Sequence, residues 1–261
     1  MTVDSNNFFQ SVKKHPDRFY IIHYSSQSLY DEGVDGFSPR ITSIAVMHYA
    51  TRQTVSFALH AVAESLNISK DEVESQYNAI ESQLLERFFI FLRDRREKYW
   101  VHWNMRNLTF GFEHLEHRYR SLCKVEPPSV PVEVRLNLND ILRNHYGSDY
   151  ASDPKMKTLM LLNGELDRRF LEGSQEAAAF LTKDFIRMHS STICKVEFFR
   201  HVISLAIKGR LHTTGNGVLV HIDRLLEGRT ARAIAFVSAV AGVISIPIAV
   251  YQVFLWFHGQ K

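Results

Sequence analysis

The chain is expected to be an α/β protein, a mixed five-stranded sheet with flanking helices, followed by a C-terminal transmembrane helix. Three observations carry that expectation. Aromatic and β-branched runs come first as three successive strand patterns. They then alternate with helical periodicities, giving the order strand, strand, strand, helix, strand, helix, strand, helices. A leading antiparallel meander followed by βαβ units builds a mixed sheet with helices on its faces. Lastly, residues 233–257 (AIAFVSAVAGVISIPIAVYQVFLWF) contain no charge.

Residues 18–25 (RFYIIHYS) read as the first strand, and the Gly-, Asp- and Ser-rich stretch 28–39 as a loop. Residues 40–49 (RITSIAVMHY) and 53–59 (QTVSFAL) flank Ala50-Thr51-Arg52 as a hairpin. Ser69 and Glu72 have the spacing of a capping box. Apolar residues then recur at helical spacing from Ile80 to Leu92, predicting a helix to about residue 95. Residues 99–103 (YWVHW) form a short buried strand, and 110–122 an amphipathic helix ended by Pro127-Pro128. Residues 130–136 alternate weakly, as an edge strand does. Asn139 is placed to cap a helix over 140–145, a short helix is expected near 154–162, and two more across 174–208. The domain plan is an N-terminal extension (1–17), the main domain (18–210), a basic linker (211–232) and the membrane helix (233–257).

Composition narrows the class. With 261 residues and 45% hydrophobic content the chain can bury a sizeable core. A net charge of +3 permits an anionic partner without requiring one. The two cysteines, Cys123 and Cys194, are far apart, so neither a disulfide framework nor a structural zinc site is expected. No apolar h-region occurs near the start, so no secretory leader is expected. At about 1.5 Å per helical residue, the charge-free run spans a hydrocarbon core of roughly 30 Å. Tyr251, Trp256 and Phe257 stand where an interfacial aromatic belt would. Arg224, Arg229 and Arg232 precede the run and only Lys261 follows, which predicts a single-pass protein with its N-terminal domain cytoplasmic.

The junction after residue 103 is the most specific signature. It reads Val101-His102-Trp103-Asn104-Met105-Arg106-Asn107-Leu108-Thr109, then Phe112, Leu115 and Arg118. Over about residues 18–208 the chain resembles the DEDD-type 3′–5′ exonucleases of the ribonuclease-H-like superfamily. Their second motif runs strand, Asn, Phe, Asp, then a helix ending Leu-x-x-Arg. The resemblance implies a ribonuclease-H-like sheet and three motifs of metal-binding carboxylates. Asn104 matches the family's Asn, and Thr109 takes the Asp position. In the first motif, His23 and Ser25 fall on the two acidic positions, with Asp31 and Glu32 later in a loop. In the third (183–196, KDFIRMHSSTICKV), Ser191 or Thr192 falls near the Asp position, and Asp184 lies about two helical turns away.

Family chemistry uses two divalent cations about 3.5–4 Å apart, held by anionic oxygens. A site of His23, Ser25, Thr109 and Ser191 has no such charges, so a degenerate, catalytically inactive domain without a cofactor is expected. Magnesium or manganese enters only if the domain is a nuclease with non-standard ligands. Asn104, Arg106 and Trp103 are the candidate nucleic-acid contacts, because an aromatic ring beside a cation can stack a base and hold a phosphate. Packing of Trp100, Trp103, Phe110 and Phe112 at the sheet edge explains the aromatics equally simply. Glu113, His114 and His117 share a helix face at metal-ligand spacing, and local ion pairs are the simpler account. Arg93, Arg95, Arg96 and Lys98 complement a helix C-terminus, or bind phosphate.

Two classes of function stay open beside the residual nuclease. One is a membrane-anchored binding or scaffold module for nucleic acid or a nucleotide. The other is a membrane effector, as in bacterial antiviral defence, with a ligand-sensing domain and a helix that self-associates through its small residues. Membrane lipid, nucleic acid or nucleotide, and a second copy of the chain are the partners these readings imply.

Overall fold

β1 (Phe19–Ser26) lies at the centre of a five-stranded sheet of order β3-β2-β1-β4-β5. It pairs antiparallel with β2 (Ile41–His48), which pairs antiparallel with β3 (Thr54–Ala58). On its other side it pairs parallel with β4 (Tyr99–His102), and β4 parallel with β5 (Arg135–Asn137). The computed structural model describes residues 5–27, 38–106 and 110–214. Thr109, Asp31, Glu32, most of the expected linker and the charge-free run 233–257 lie outside the described residues. The mixed sheet and its flanking helices are compatible with a ribonuclease-H-like α/β fold. No helix among the described residues is long and apolar enough to cross a membrane.

Strand alternation sends the two faces of β1 into two cores. Ile22 and Tyr24 pack with α3 (Tyr77–Arg93) and α4 (Phe112–Cys123), through residues such as Leu84, Phe88 and Leu115. Phe19 and Ile21 pack on the opposite face with α1 (Ser5–Lys14), α5 (Leu138–Tyr146) and α8 (Phe185–Ile207). Phe8, Phe9 and Val12 of α1 are buried there, so the N-terminal extension contributes directly to the second core. The long helix α8 lies across β1 and β2.

Several local expectations shift. A short helix, α2 (Leu59–Ser65), follows β3 directly where only the end of a strand was expected. Glu72 does accept from the Ser69 backbone (3.0 Å) and hydroxyl (2.6 Å), but this box closes a turn, and α3 starts at Tyr77. The cap of α5 is Asn137, whose side chain accepts from Asn139 N, two residues before the expected cap. α6 (Lys155–Leu162) and α7 (Gly173–Leu181) complete the fold before α8.

The helix-face string on α4 resolves into packing and ion pairs. His114 is buried against Pro39 O (2.8 Å), while Glu113 and Glu116 bond the guanidinium of Arg135. No group of three His, Cys, Asp or Glu among the described residues could hold a metal ion. Arg118, the Arg of the Leu-x-x-Arg signature, donates to both oxygens of Glu81 on α3 (2.9 and 2.5 Å). Glu81 is fully buried and also accepts from Ile41 N, so this pair ties α3, α4 and β2 together.

Candidate functional site

His23 and Ser25 lie two residues apart on β1, so both project from the face that α8 covers. At this carboxyl end of β1, α8 presents Ser191, Thr192 and Lys195, neighbours on one helix face. Ser43 lies opposite Ser25 across the β1–β2 pair. The structure thus brings together His23, Ser25 and Ser191 of the four expected positions; Thr109 is outside the described residues.

These side chains make a closed polar cluster. Thr192 Oγ1 lies 2.7 Å from both Ser25 Oγ and Ser43 Oγ. Ser191 Oγ accepts from Leu171 N (3.1 Å). At the centre is Glu176 of α7. Its Oε1 accepts from Ser25 Oγ (3.1 Å), Ser191 Oγ (3.2 Å) and Lys195 Nζ (2.7 Å). Ser25, Ser43, Ser191 and Thr192 are at most 1% exposed, and Lys195 is 5%. An ammonium stands against the one carboxylate of the cluster.

His23 is wedged between the rings of Phe110 and Phe199 (5.9 and 5.7 Å). Burial, then the charge of Lys195, hold its pKa well below the ordinary value, so the imidazole is neutral. Its Nδ1 is buried and has no hydrogen-bond partner among the described residues. His102, at the end of β4, is likewise neutral, its pKa pushed down to about 3 by burial and the nearby Arg106. Its Nδ1 accepts from Met105 N (3.2 Å), which assigns the proton to Nε2.

The donor set does not fit a pair of divalent ions. Hard cations require several anionic oxygens, and the cluster offers one carboxylate already bonded to a lysine. Neutral hydroxyls bind magnesium poorly without such charge. Asp184 is the N-cap of α8, its carboxylate accepting from Arg187 N. Asp140 pairs with Arg106 and Arg143. Neither carboxylate supplies the missing charge.

The candidate nucleic-acid contacts are all engaged within the chain. Trp103 is buried, stacked on Phe199 at 5.6 Å and 14°, so that ring face is not offered to a base. Asn104 adopts a left-handed backbone (φ 54°), which Asn tolerates better than other residues with a side chain. Its Oδ1 accepts from Arg106 Nη2, Asn139 Nδ2 (both 2.9 Å) and Asn137 Nδ2 (3.3 Å). Arg106 also donates to Asp140 (2.8 Å), which neutralises it. The Asn of the strand–helix junction therefore ties the ends of β4 and β5 together.

Glu176 and Lys195 are the central residues that the motif reading missed. Lys195 left a trace, since a charge falls within the apolar stripe Met188, Val196, Phe199 and Val202 of α8. Glu176 left none, because its role depends on α7 folding against α8. No protein-family model matches the chain, and no curated protein matches it.

Proposed function

We propose that this chain is a catalytically inactive module on a 3′–5′ exonuclease-like scaffold, anchored in a membrane by residues 233–257, and that it works by binding rather than hydrolysis. The observation that supports this most directly is the Glu176–Lys195 pair, with Ser25 and Ser191 bonded to the same carboxylate oxygen. Two-metal hydrolysis needs a shared set of anionic ligands to charge the attacking water and stabilise the leaving oxygen. Here the hydroxyls and the ammonium all bond one oxygen of the partly buried carboxylate, and Ser25, Ser191 and Lys195 are themselves buried. The neutral residues at the motif positions serve as parts of a core.

The test is a nuclease assay on the purified full-length chain in a non-ionic detergent. Single-stranded DNA and RNA substrates are offered with magnesium and with manganese. No cleavage above a metal-free control is expected. Metal-dependent cleavage that survives repurification and is abolished by Glu176→Gln would overturn the reading.

A further inference from the structure

The opposite edge of the sheet carries charge that the molecule does not neutralise. Parallel pairing of Phe19 with Tyr99 puts the starts of β1 and β4 side by side. Arg18 precedes one start and Lys98 the other. Tyr20 pairs with His48, so the β2–β3 turn holding Arg52 lies at this edge too. α1 ends here with Lys13 and Lys14, and α3 ends here, leading into Arg93, Arg95 and Arg96. From α8, Arg200 reaches the ring of Tyr49 in the same turn, 5.8 Å from its centroid. Against these cations, the same connections carry the carboxylates Asp17, Asp94 and Glu97.

Of these nine cations only Arg93 has an ion pair among the described residues, with its neighbour Asp94. Elsewhere Arg40, Arg106, Arg118, Arg135, Arg143 and Arg169 each pair with a carboxylate, while others such as Lys70, Lys183 and Arg187 do not; what sets this edge apart is that its cations converge from several elements. At the basic edge three of the six guanidiniums, those of Arg18, Arg95 and Arg200, lie on aromatic rings. Arg18 is 5.1 Å from the Tyr99 centroid and Arg95 is 4.1 Å from Phe91. A stacked guanidinium is oriented while edge donors stay available, although Arg95 spends Nη1 on Phe91 O (2.8 Å). The Nε of Arg200 is buried without a hydrogen-bond partner among the described residues. Burial, then the charge of Arg52, lower its pKa, as befits two cations held together without a counter-ion.

We propose that this edge, formed by the starts of β1 and β4 and the β2–β3 turn, is a docking surface for the phosphodiester backbone of nucleic acid. Fixed guanidiniums with free edges match phosphate oxygens, and an excess of unpaired cations is the electrostatic footprint of a polyanion site. A membrane surface fits less well. Among the described residues the large exposed apolar side chains are Val55, Ile90, Val125, Val132, Leu161, Leu181 and Ile186; none lies in the connections 15–18, 49–53 or 94–98, and only Ile90 and Val55 stand near them. The surface is at the far end of β1 from the closed cluster, so a bound strand is held without being presented to it. The inference builds on the reading of the chain as a binding module and names its partner and surface.

The experiment measures fluorescence anisotropy of a short labelled single-stranded oligonucleotide with the full-length chain in non-ionic detergent, over a series of salt concentrations. The edge variant Arg52→Glu/Arg96→Glu/Lys98→Glu is compared with a control, Lys70→Glu/Lys183→Glu/Arg187→Glu, which reverses as many charges elsewhere. Affinity is expected to fall at least about tenfold in the edge variant and to stay within about twofold in the control. The slope of log K against log salt should become shallower by about 2, roughly 0.7 for each lost phosphate contact. The neutral variant Arg52→Gln/Arg96→Gln/Lys98→Gln should show the same loss if the reversed one fails to fold. No oligonucleotide binding, an equal loss in both triples, or tighter binding to phosphatidylserine vesicles at equal phosphate concentration would each overturn it. Its failure would leave the loss of catalysis standing, because the nuclease assay decides that separately.

Discussion

The two ends of β1 treat charge in opposite ways. At the carboxyl end a partly buried carboxylate meets a buried ammonium at the edge of the core, and every hydroxyl around them is bonded. At the amino end cations converge from α1, α3, α8 and two connections, and most have no carboxylate partner among the described residues. A buried charge without a partner costs several kcal/mol, whereas an exposed one costs little. The closed end therefore has to be neutral to fold at all. The open end is under no such constraint, and its unpaired charge is what the proposed nucleic-acid contact would use. The residues at the motif-like positions of β1 and α8 are packed together, while the unpaired cations lie at the other end of β1.

The largest expected effect tests whether the closed end is a core. Lys195→Met removes the ammonium and leaves the partly buried Glu176 with only hydroxyl donors. Breaking such a pair costs about 3 kcal/mol or more, which lowers the melting temperature by on the order of 10 °C in a domain of this size. Glu176→Leu in the same chain should recover much of the loss, since an apolar pair of similar volume replaces an ion pair at little cost. Thermal melts by circular dichroism, with and without magnesium, check both. Recovery of Lys195→Met by magnesium alone would break the comparison, because the closed end would then be a latent metal site.

Much of the scaffold was legible in the sequence because strand and helix periods are local. β1 to β4 and α3, α4 and α8 follow from runs such as FYIIHYS and from apolar spacing at i, i+3 and i+4. α2 escaped because it has only seven residues and follows a strand without a break. The cap of α5 escaped because Asn137 and Asn139 are equally good cap residues, and the pairing of β5 with β4 decides between them. The site was half legible for the same reason. Ser25, and Ser191 or Thr192, could be reached through the resemblance to the exonuclease motifs. Glu176 could not, since its contact depends on α7 packing against α8. The residues at 93–98 read locally as complements to a helix end, and Arg95 does donate to Phe91 O there. Only the topology adds Lys13, Arg18, Arg52 and Arg200 to them.

A smaller effect separates the two ends by pH. His23 and His102 near the closed end are held neutral by burial, with folded pKa values below the ordinary 6.5. Between about pH 6.5 and the folded value, about 3 for His102, the unfolded chain binds a proton that the folded chain refuses. Their stabilisation is thus complete above about pH 6.5 and is lost as pH falls, at about 1.4 kcal/mol per pH unit for each residue. Melting temperature should drop between pH 6.5 and 5. His102→Asn keeps an acceptor where Nδ1 meets Met105 N and removes the titration, so its slope should be shallower by one group's share. An unchanged slope would mean that His102 is not held neutral in the fold.

The smallest effect has opposite signs at the two ends. Arg52→Gln relieves repulsion with Arg200, so at low salt it should raise the melting temperature by about 1 °C. Arg106→Gln removes an exposed pair with Asp140 and a hydrogen bond to Asn104, so it should lower the melting temperature by a similar amount. Both changes should shrink near 1 M salt, where the screening length falls to about 3 Å. A cation whose removal stabilises the fold is not there for the fold. If Arg52→Gln lowered the melting temperature at low salt, an internal partner would be implied, and the case for an external polyanion at this edge would lose its electrostatic basis.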